Sequence, residues 1–193
     1  MLKIQGEIPR KVYLGYSGGV DSAAVLDFLA NNHEVVLVFV DHLNEISEQE
    51  EDFVTKAARH YYVPVLKYKI DPVKHVDHSK EEHWRNERYK VFHTLPGKVI
   101  TCHHLDDCVE TWVWNMCNGK ARTIPYNNLN VIRPFRTNRK NLLVDWCGRH
   151  KVKWFKDPTN ADSSFACRNH IRLNVMPMLE QVNPGIYTTI RNM

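Results

Sequence analysis

The stretch Tyr16-Ser17-Gly18-Gly19-Val20-Asp21-Ser22 joins a short apolar segment to a helix-like one. Two adjacent glycines permit positive φ angles and a close backbone approach, so the N–H groups at the helix start can surround an anion. Ser17 and Ser22 add hydroxyl donors, and Asp21 adds a carboxylate that a plain turn does not need. The stretch lacks the Gly-Lys-Ser/Thr ending of a Walker A loop. It therefore predicts a shorter, different phosphate-binding loop.

Outward from this loop, strand-like and helix-like segments alternate along the chain. The predicted strands are residues 11–16, 34–40, 64–70 and 98–102, which are short and rich in β-branched residues. The predicted helices are residues 21–31, 48–62, 80–95 and 104–117, in which apolar residues return every three or four positions. This alternation predicts an α/β fold with a parallel, doubly wound sheet and helices on both faces. Ligands of such sheets bind at the carboxyl ends of the strands.

The remaining part of the chain, residues 118–193, has a weaker pattern. It predicts a loop and then helices near residues 138–150 and 168–180. We expect this part to fold against the sheet as a wall that faces the substrate. At 193 residues the chain is expected to form a single domain.

The basic residues are concentrated in this later part. Residues 1–117 carry 13 Lys/Arg and 18 Asp/Glu, whereas residues 118–193 carry 13 and 4, within a net charge of +4. Such a density of cations favours a phosphate backbone as partner, although a solvated basic face is the alternative. The predicted nucleic-acid contacts are Lys120, Arg122, Arg133, Arg136, Arg139, Lys140 and Arg168.

Cysteine usage and hydropathy limit the class of protein. The five cysteines form an odd set without a Cys-x-x-Cys pair, which argues against a disulfide framework and a zinc ribbon. No resident metal site is assigned. No apolar run is long enough for a membrane span, and no signal peptide is evident. We expect a cytoplasmic protein with reduced thiols, compatible with a homodimer although no apolar stripe demands one.

A second group of polar residues follows the fourth predicted strand. His103, Asp106, Asp107 and Glu110 have the spacing i, i+3, i+4 and i+7, which places them on one stripe of a helix. The stripe formed by Leu105, Val109, Trp112, Val113 and Met116 is expected to be buried against the sheet. An imidazole among carboxylates can deprotonate an amine, hold magnesium or orient a nucleophile. Helix capping is the structural alternative.

These motifs resemble two related families. The Ser-Gly-Gly-x-Asp-Ser pattern resembles the PP-loop of the N-type ATP pyrophosphatases. The run His103-His104-x-Asp106-Asp107-x-x-Glu110-Thr111 is similar to the second motif of the tRNA(Ile)-lysidine synthetases. Further matches to that family are Glu81-x-x-x-Arg85-x-x-Arg88-Tyr89, Asp157-Pro158-Thr159-Asn160 and Arg168-Asn169-x-x-Arg172. The resemblance extends over most of the chain, from Val12 to Pro184.

The resemblance implies a site and a reaction. ATP would bind with its phosphates at Ser17, Gly18, Gly19, Asp21 and Ser22, and Asp21 would lie near the phosphates or Mg²⁺. Asp41, at the end of the second strand, would lie near the adenine and ribose, or else it only caps the strand. His103 and Asp107 are the main catalytic candidates, joined by Asp106, Glu110, Arg85 and Arg172. Arginine can neutralise charge at a phosphate, although a helical ion pair is the alternative for Arg85.

The implied reaction adenylates the C2 oxygen of a cytidine in tRNA and then joins lysine to form lysidine. Residues 118–125 contain a single glycine, Gly119, where the family usually has a glycine-rich stretch, and the glycine usual after the histidine at position 42 is absent. The family's C-terminal tRNA-binding domains are not expected in this sequence. A PP-loop enzyme that thiolates or otherwise modifies another base is one alternative, which the absence of Cys-x-x-Cys disfavours. A non-catalytic tRNA-binding module is the other.

Overall fold

The computed structural model describes residues 1–43, 45–70, 80–156 and 167–193, without the side chains of Lys80, Glu81, Cys167 and Arg168. Its sheet has the order β3-β2-β1-β4-β6-β5, and all neighbours are parallel except β5 and β6. The strands are β1 (Lys11–Gly15), β2 (Glu34–Asp41), β3 (Val65–Lys69), β4 (Val99–Ile100), β5 (Asn127–Asn128) and β6 (Val131–Ile132).

Helices connect and flank the strands. They are α1 (Val20–Ala30), α2 (Ser47–His60), α3 (Lys80–Thr94), α4 (Leu105–Cys117), α5 (Lys140–His150), α6 (Cys167–His170), α7 (Met176–Val182) and α8 (Ile186–Arg191). A π-helical turn at Ile171–Val175 joins α6 to α7. The predicted α/β fold with a mainly parallel sheet is confirmed, and each predicted helix of the first 117 residues lies within two residues of its observed bounds.

Apolar side chains are buried in three clusters, two of which cover the two faces of the parallel sheet. One cluster joins β1 and β2 to α1, α2 and α5, through residues such as Leu14, Leu26, Val54 and Leu143. A second cluster packs α3 against the sheet, with Phe92 beside Val38 and Val99. The first β-strand and its two parallel neighbours therefore form the centre of the core.

The third cluster corrects a prediction about α4. Its apolar residues Leu105, Val109 and Val113 are buried, but they pack against the π-helical turn, α7 and α8 instead of the sheet. Met116, predicted on the same face, is 48% exposed. An amphipathic pattern identifies the buried face of a helix but not the element that covers it.

Within the later part of the chain, helix α5 is placed differently from the prediction. Helix α5 packs against α1 in the main core, where Leu143 and Cys147 are fully buried. It is thus part of a layer of the domain and not a wall in front of the substrate site. Within the described residues, none of the helices is both long enough and apolar enough to span a bilayer.

Candidate functional site

The phosphate loop leaves the carboxyl end of β1 and enters α1. Gly18 has a φ of +80°, and a Cβ atom built there would lie 3.0 Å from the ring of Phe53. The Gly18 carbonyl accepts a hydrogen bond of 2.9 Å from the backbone N–H of Phe155. Gly19 is the N-cap of α1, and its carbonyl accepts a hydrogen bond of 2.9 Å from the Ser22 hydroxyl. The loop therefore requires glycine at position 18 and directs the start of α1 toward the cleft.

Asp21 lies in the first turn of α1 and remains partly accessible, with its side chain 28% exposed. Its Oδ1 is buried without a hydrogen-bond partner among the described residues. Burial raises the pKa of Asp21 above its usual value, and electrostatic interactions with His104 and Lys140 oppose this shift. An unsatisfied carboxylate oxygen at a helix start suits a ligand that brings a cation or hydrogen-bond donors.

The second motif begins with a helix cap at His104. Its Nδ1 accepts a hydrogen bond from the N–H of Asp107 at 3.2 Å, and Asp107 Oδ2 accepts one from the N–H of His104 at 2.9 Å. This reciprocal pair is a capping box, with histidine in place of the usual serine or threonine. His103 consequently precedes the helix, so the predicted helical stripe that starts at His103 is wrong.

Opposite shifts set the charges of His103 and Asp107. Burial, together with Arg133, Arg85 and Arg88, lowers the pKa of His103 to about 3, against the opposing effect of Asp107. For Asp107, burial would raise the pKa, but the two histidines, a backbone hydrogen bond and Arg172 lower it below its usual value. The site therefore contains a neutral imidazole beside an ionised carboxylate at neutral pH. His103 Nδ1 lies 3.0 Å from Thr101 Oγ1.

The two motifs face one cleft of about 320 Å³ at the carboxyl ends of β1, β2 and β4. From the predicted site, the cleft is lined by Ser17, Gly19, Asp21, Ser22, His103 and Asp107. Gly18 lies between two of these lining residues. The phosphate loop and the imidazole-carboxylate pair thus share one cavity.

The other two carboxylates of the motif point away from this cleft. Both oxygens of Asp106 are engaged by α5 and its N-cap: Oδ1 is 3.1 Å from Arg139 Nε, and Oδ2 accepts from Lys140 N–H at 2.7 Å. Glu110 is buried and binds Arg172 through two hydrogen bonds of 2.6 and 2.9 Å. Asp106 and Glu110, which were predicted as catalytic candidates together with His103, therefore do not line the cleft. In the structure they anchor neighbouring elements.

A second cavity of about 250 Å³ lies beside α4, lined by Asp106, Glu110, Lys140, Arg172 and residues of α7 and α8. Arg172 lines the second cavity and also approaches the main cleft, because its Nη2 is 3.8 Å from Oδ1 of Asp107, which lines that cleft. Hydrogen bonds from Arg172 to Glu110 raise the pKa of the guanidinium. Arg172 is thus a fixed cation at the border of the main cleft.

Helix α3 supplies a different arginine from the predicted one. Arg88 and Tyr89 line the cleft, whereas Arg85 is exposed and lies over the ring of Tyr89, 5.4 Å from its centre. Tyr89 also accepts a hydrogen bond of 2.7 Å from Arg133. Arg85 therefore contributes long-range charge at the rim, and Arg88 is the guanidinium that α3 presents to the cleft. The side chain of Glu81 lies outside the described residues.

The predicted nucleic-acid contacts divide into exposed and buried residues. Lys120 and Arg122 are exposed, and Arg139 and Lys140 are partly exposed. Arg133 and Arg136 are only 1% and 8% exposed, and Arg133 also donates to the carbonyl of Pro125 at 2.8 Å. These two were predicted to contact RNA, which is wrong because they are buried in the fold. The side chain of Arg168 and the Asp157-Pro158-Thr159-Asn160 motif lie outside the described residues.

The end of β2 confirms the structural alternative for Asp41. Asp41 is 4% exposed, and its Oδ1 accepts a hydrogen bond of 2.8 Å from the N–H of Leu43. It caps the strand end and does not line the cleft, so the expected ribose or adenine contact is wrong. The next residue, His42, does line the cleft and stacks on Trp84 with ring centres 5.1 Å apart.

Cys102 also lines the cleft, but its chemistry disfavours sulfur transfer. Burial raises its pKa well above the usual value, and Asp21 and Asp107 add to the shift. The thiol is therefore protonated at neutral pH, whereas a sulfur carrier requires a reactive thiolate.

Three residues of the site were missed by the sequence analysis. His104 is buried at the junction of the two motifs, while Arg88 and His42 line the cleft. His104 could have been found, since it stands three residues before Asp107, the spacing of a capping box. Choosing Arg88 over Arg85 requires knowing which face of α3 is turned toward the cleft. The weak amphipathic pattern of α3 does not show this.

Comparisons with known proteins find similar sequences and a similar fold. Residues 2–179 match the model of the PP-loop domain family. The chain is 30% identical to the tRNA(Ile)-lysidine synthase of Parabacteroides distasonis over 94% of its own length and 44% of that protein. For the tRNA(Ile)-lysidine synthase of Lactiplantibacillus plantarum the identity is 31%, over 91% of this chain and 43% of that protein.

The chain thus spans less than half the length of these curated relatives. Among solved structures, the NMN synthetase of Francisella tularensis has the same fold, with a TM-score of 0.61 and 10% sequence identity over 95% of this chain and 82% of that one. The family resemblance of the sequence motifs is confirmed by these matches. Because the family model matches most of its length, the chain belongs to the PP-loop domain family.

Proposed function

We propose that this chain is a catalytic domain that uses ATP to convert a cytidine of isoleucine tRNA into lysidine. The main support for this proposal is the shared cleft, in which the phosphate loop and the pair His103 and Asp107 face the same space. The similarity to two tRNA(Ile)-lysidine synthases supports this substrate class. On this proposal residues 1–193 act as one domain.

The loop's geometry fits the diphosphate end of ATP. Gly18 has the positive φ and the tight surroundings that exclude a side chain, while Gly19 and the following residues present the N–H groups of a helix start. Attack of the cytidine C2 oxygen on the α-phosphorus would form a new P–O bond and release pyrophosphate. Arg88, which lines the cleft, and Arg172, beside Asp107, would neutralise charge at the phosphorus.

Mg²⁺ fits Asp21, whose Oδ1 is buried and unsatisfied beside the loop. Among the described residues no cluster of three or more His, Cys, Asp or Glu is arranged to hold a metal. A magnesium ion held by one carboxylate and by substrate phosphates is the usual arrangement. It would supply charge neutralisation for the leaving pyrophosphate.

The second step would join lysine to the activated base. The lysine ammonium would first give one proton to solvent, and the free ε-amine would then attack C2; the C2–O bond breaks, AMP leaves with the oxygen, and the attacking nitrogen passes a proton to the phosphate of the leaving AMP. Asp107 is ionised and attracts the lysine ammonium, while the neutral imidazole of His103 orients the amine through a hydrogen bond. With a pKa of about 3, His103 is better suited to accepting a hydrogen bond than to holding a proton.

The RNA would bind on the exposed basic residues near the end of α4. Lys120 and Arg122 are exposed there, and no carboxylate side chain occurs between residues 118 and 144. Arg139 is engaged by Asp106 and lies over the ring of Tyr187, so it contributes less. Phosphate contacts of this kind position RNA without reading its sequence.

The test uses purified protein, isoleucine tRNA with a CAU anticodon, ATP and labelled lysine. We expect pyrophosphate release that depends on the tRNA and label in the RNA. Pyrophosphate release without label would reject lysine as substrate but keep the reaction class. Absence of both, with tRNA still bound, would identify a non-catalytic binding module.

A further inference from the structure

His104 lies where the two motifs meet. It is 1% exposed and lines neither cavity, yet three carboxylates surround its ring. Asp21 Oδ2 is 3.7 Å from Nε2, while Asp107 Oδ2 and Asp106 Oδ2 are 3.4 and 3.6 Å from Nδ1. One imidazole therefore contacts the phosphate loop, the start of α4 and the residue that anchors α5.

The hydrogen bonds determine where the ring carries its proton. Nδ1 accepts from the N–H of Asp107, so in the neutral ring the proton must be on Nε2. That N–H is directed toward Asp21, at a distance that a small movement of the carboxylate would turn into a hydrogen bond. Asp107 is held at the same time, because its Oδ2 accepts from the backbone of His104.

Helix capping alone does not explain a histidine at this position. Asparagine, aspartate, serine or threonine would cap α4 with a shorter side chain and without burying a second polar nitrogen. The histidine ring reaches from the Asp107 N–H, which its Nδ1 accepts, to within 3.7 Å of Asp21 Oδ2 at its Nε2. The second nitrogen is thus the part of the residue that capping leaves unexplained.

We propose that His104 is a positioning residue that fixes the carboxylates of Asp21 and Asp107 relative to each other in the cleft. After a small movement of the Asp21 carboxylate, the His104 Nε2–H donates to its Oδ2 and fixes it beside the phosphate loop, while Oδ1 stays directed to the ligand. Its Nδ1 fixes the first turn of α4, on which Asp107 depends. This inference rests on the proposed function, since it assigns His104 to the same cleft and the same reaction.

Three variants separate capping from positioning. H104N keeps a capping oxygen but is too short to reach Asp21, H104Q restores the reach, and H104A removes both. We expect H104N to melt within a few degrees of the wild type, to lose at least tenfold in kcat for tRNA-dependent AMP formation, and to keep its KM for ATP within about threefold. H104Q is expected to recover part of the loss. A stable H104N with wild-type kcat would overturn the proposal.

A double-mutant cycle tests whether His104 acts through Asp21. In a D21N background, H104N is expected to lower the remaining rate by less than twofold, because the carboxylate that it positions is already gone. An equal loss in both backgrounds would overturn the proposal and assign His104 a separate role.

A measurement on the resting protein separates this inference from the proposed function. Imidazole ¹⁵N NMR is expected to show His104 with its proton on Nε2, and the Nε2 shift is expected to change in D21N. If that holds in a protein that makes no AMP, the proposed function fails and the inference stands. If AMP forms while His104 carries its proton on Nδ1, the inference fails and the function stands.

Discussion

Arg172 of the π-helical turn and Glu110 of α4 form a two-pronged ion pair, with N–O distances of 2.6 and 2.9 Å. The Glu110 side chain is only 3% exposed, whereas that of Arg172 is 36% exposed. Arg172 also reaches to within 3.8 Å of Asp107. The pair therefore fixes the C-terminal helices on α4 and sets the position of a cation next to the cleft.

The ion pair predicts that removing one partner destabilises the fold more than removing both. Arg172→Ala leaves the Glu110 carboxylate buried and unpaired, which costs roughly 3–5 kcal/mol for a fully buried pair. We expect a value at the lower end, because Arg172 is partly exposed. Urea denaturation measures the free energy of unfolding. The control E110L/R172M removes both charges and is expected to regain most of the loss, and an R172A protein as stable as the wild type would contradict this account.

The phosphate loop predicts opposite effects of alanine at two glycines. Gly18→Ala forces a φ of +80° on a residue with a Cβ, beside the Phe53 ring, and is expected to cost about 1–2 kcal/mol and to weaken ATP binding. Gly148→Ala is the matched control. It lies in α5 with nothing within 4 Å of the new Cβ and is expected to gain about 0.5–1 kcal/mol. Calorimetry with ATP would refute the loop's role if G18A bound ATP like the wild type.

Two histidines predict how stability depends on pH. Burial lowers the pKa of His103 to about 3 and that of His42 to about 4, from 6.5 in the unfolded chain. Between these values the unfolded state binds more protons, so stability falls as the pH is lowered below about 6.5. Each histidine contributes at most about 1.4 kcal/mol per pH unit in this window. Urea denaturation at pH 7, 6 and 5 should show this fall in the free energy of unfolding, and the fall should be smaller in H103Q. If the free energy of unfolding depended on pH equally in H103Q and the wild type, the burial of a neutral His103 ring would be contradicted.

The exposed basic residues predict the salt dependence of RNA binding. K120Q/R122Q is expected to weaken tRNA binding and to lower the slope of log affinity against log salt by roughly 0.7–0.9 for each phosphate that these two residues neutralise. K11Q/K98Q is the charge-matched control, since Lys11 and Lys98 are exposed near the amino ends of β1 and β4, away from the cleft. Filter binding at several salt concentrations measures both. Equal weakening in the two variants would show that only net charge matters.

The sheet and the cleft could be predicted from the sequence to different degrees. β1 to β3 and α1 to α4 have local patterns of apolar residues, so their places were predicted within a few residues. β5 and β6 have two residues each, too few to show a period, and α8 has only six. These elements depend on contacts with distant parts of the chain.

The charge of a residue predicted its position in the site less reliably than apolar patterns predicted the helices and strands. Arg133 and Asp106 look like surface residues in a basic or acidic run, but both are held by internal partners, Pro125 and Tyr89 for Arg133 and Lys140 for Asp106. Such pairing depends on the tertiary fold and is not visible in spacing. His103 and Asp107 were predicted correctly as cleft residues, although His103 precedes the helix on which it was placed.

In the proposed reaction one cleft adenylates the C2 oxygen of the base and then exchanges it for lysine. The direct measurement uses tRNA with ¹⁸O at C2 of the anticodon cytidine, together with ATP, Mg²⁺ and lysine, followed by mass spectrometry of the AMP. We expect AMP that is heavier by the mass difference between ¹⁸O and ¹⁶O, in an amount equal to the lysidine formed. Unlabelled AMP, with the ¹⁸O kept in the RNA, would contradict the account.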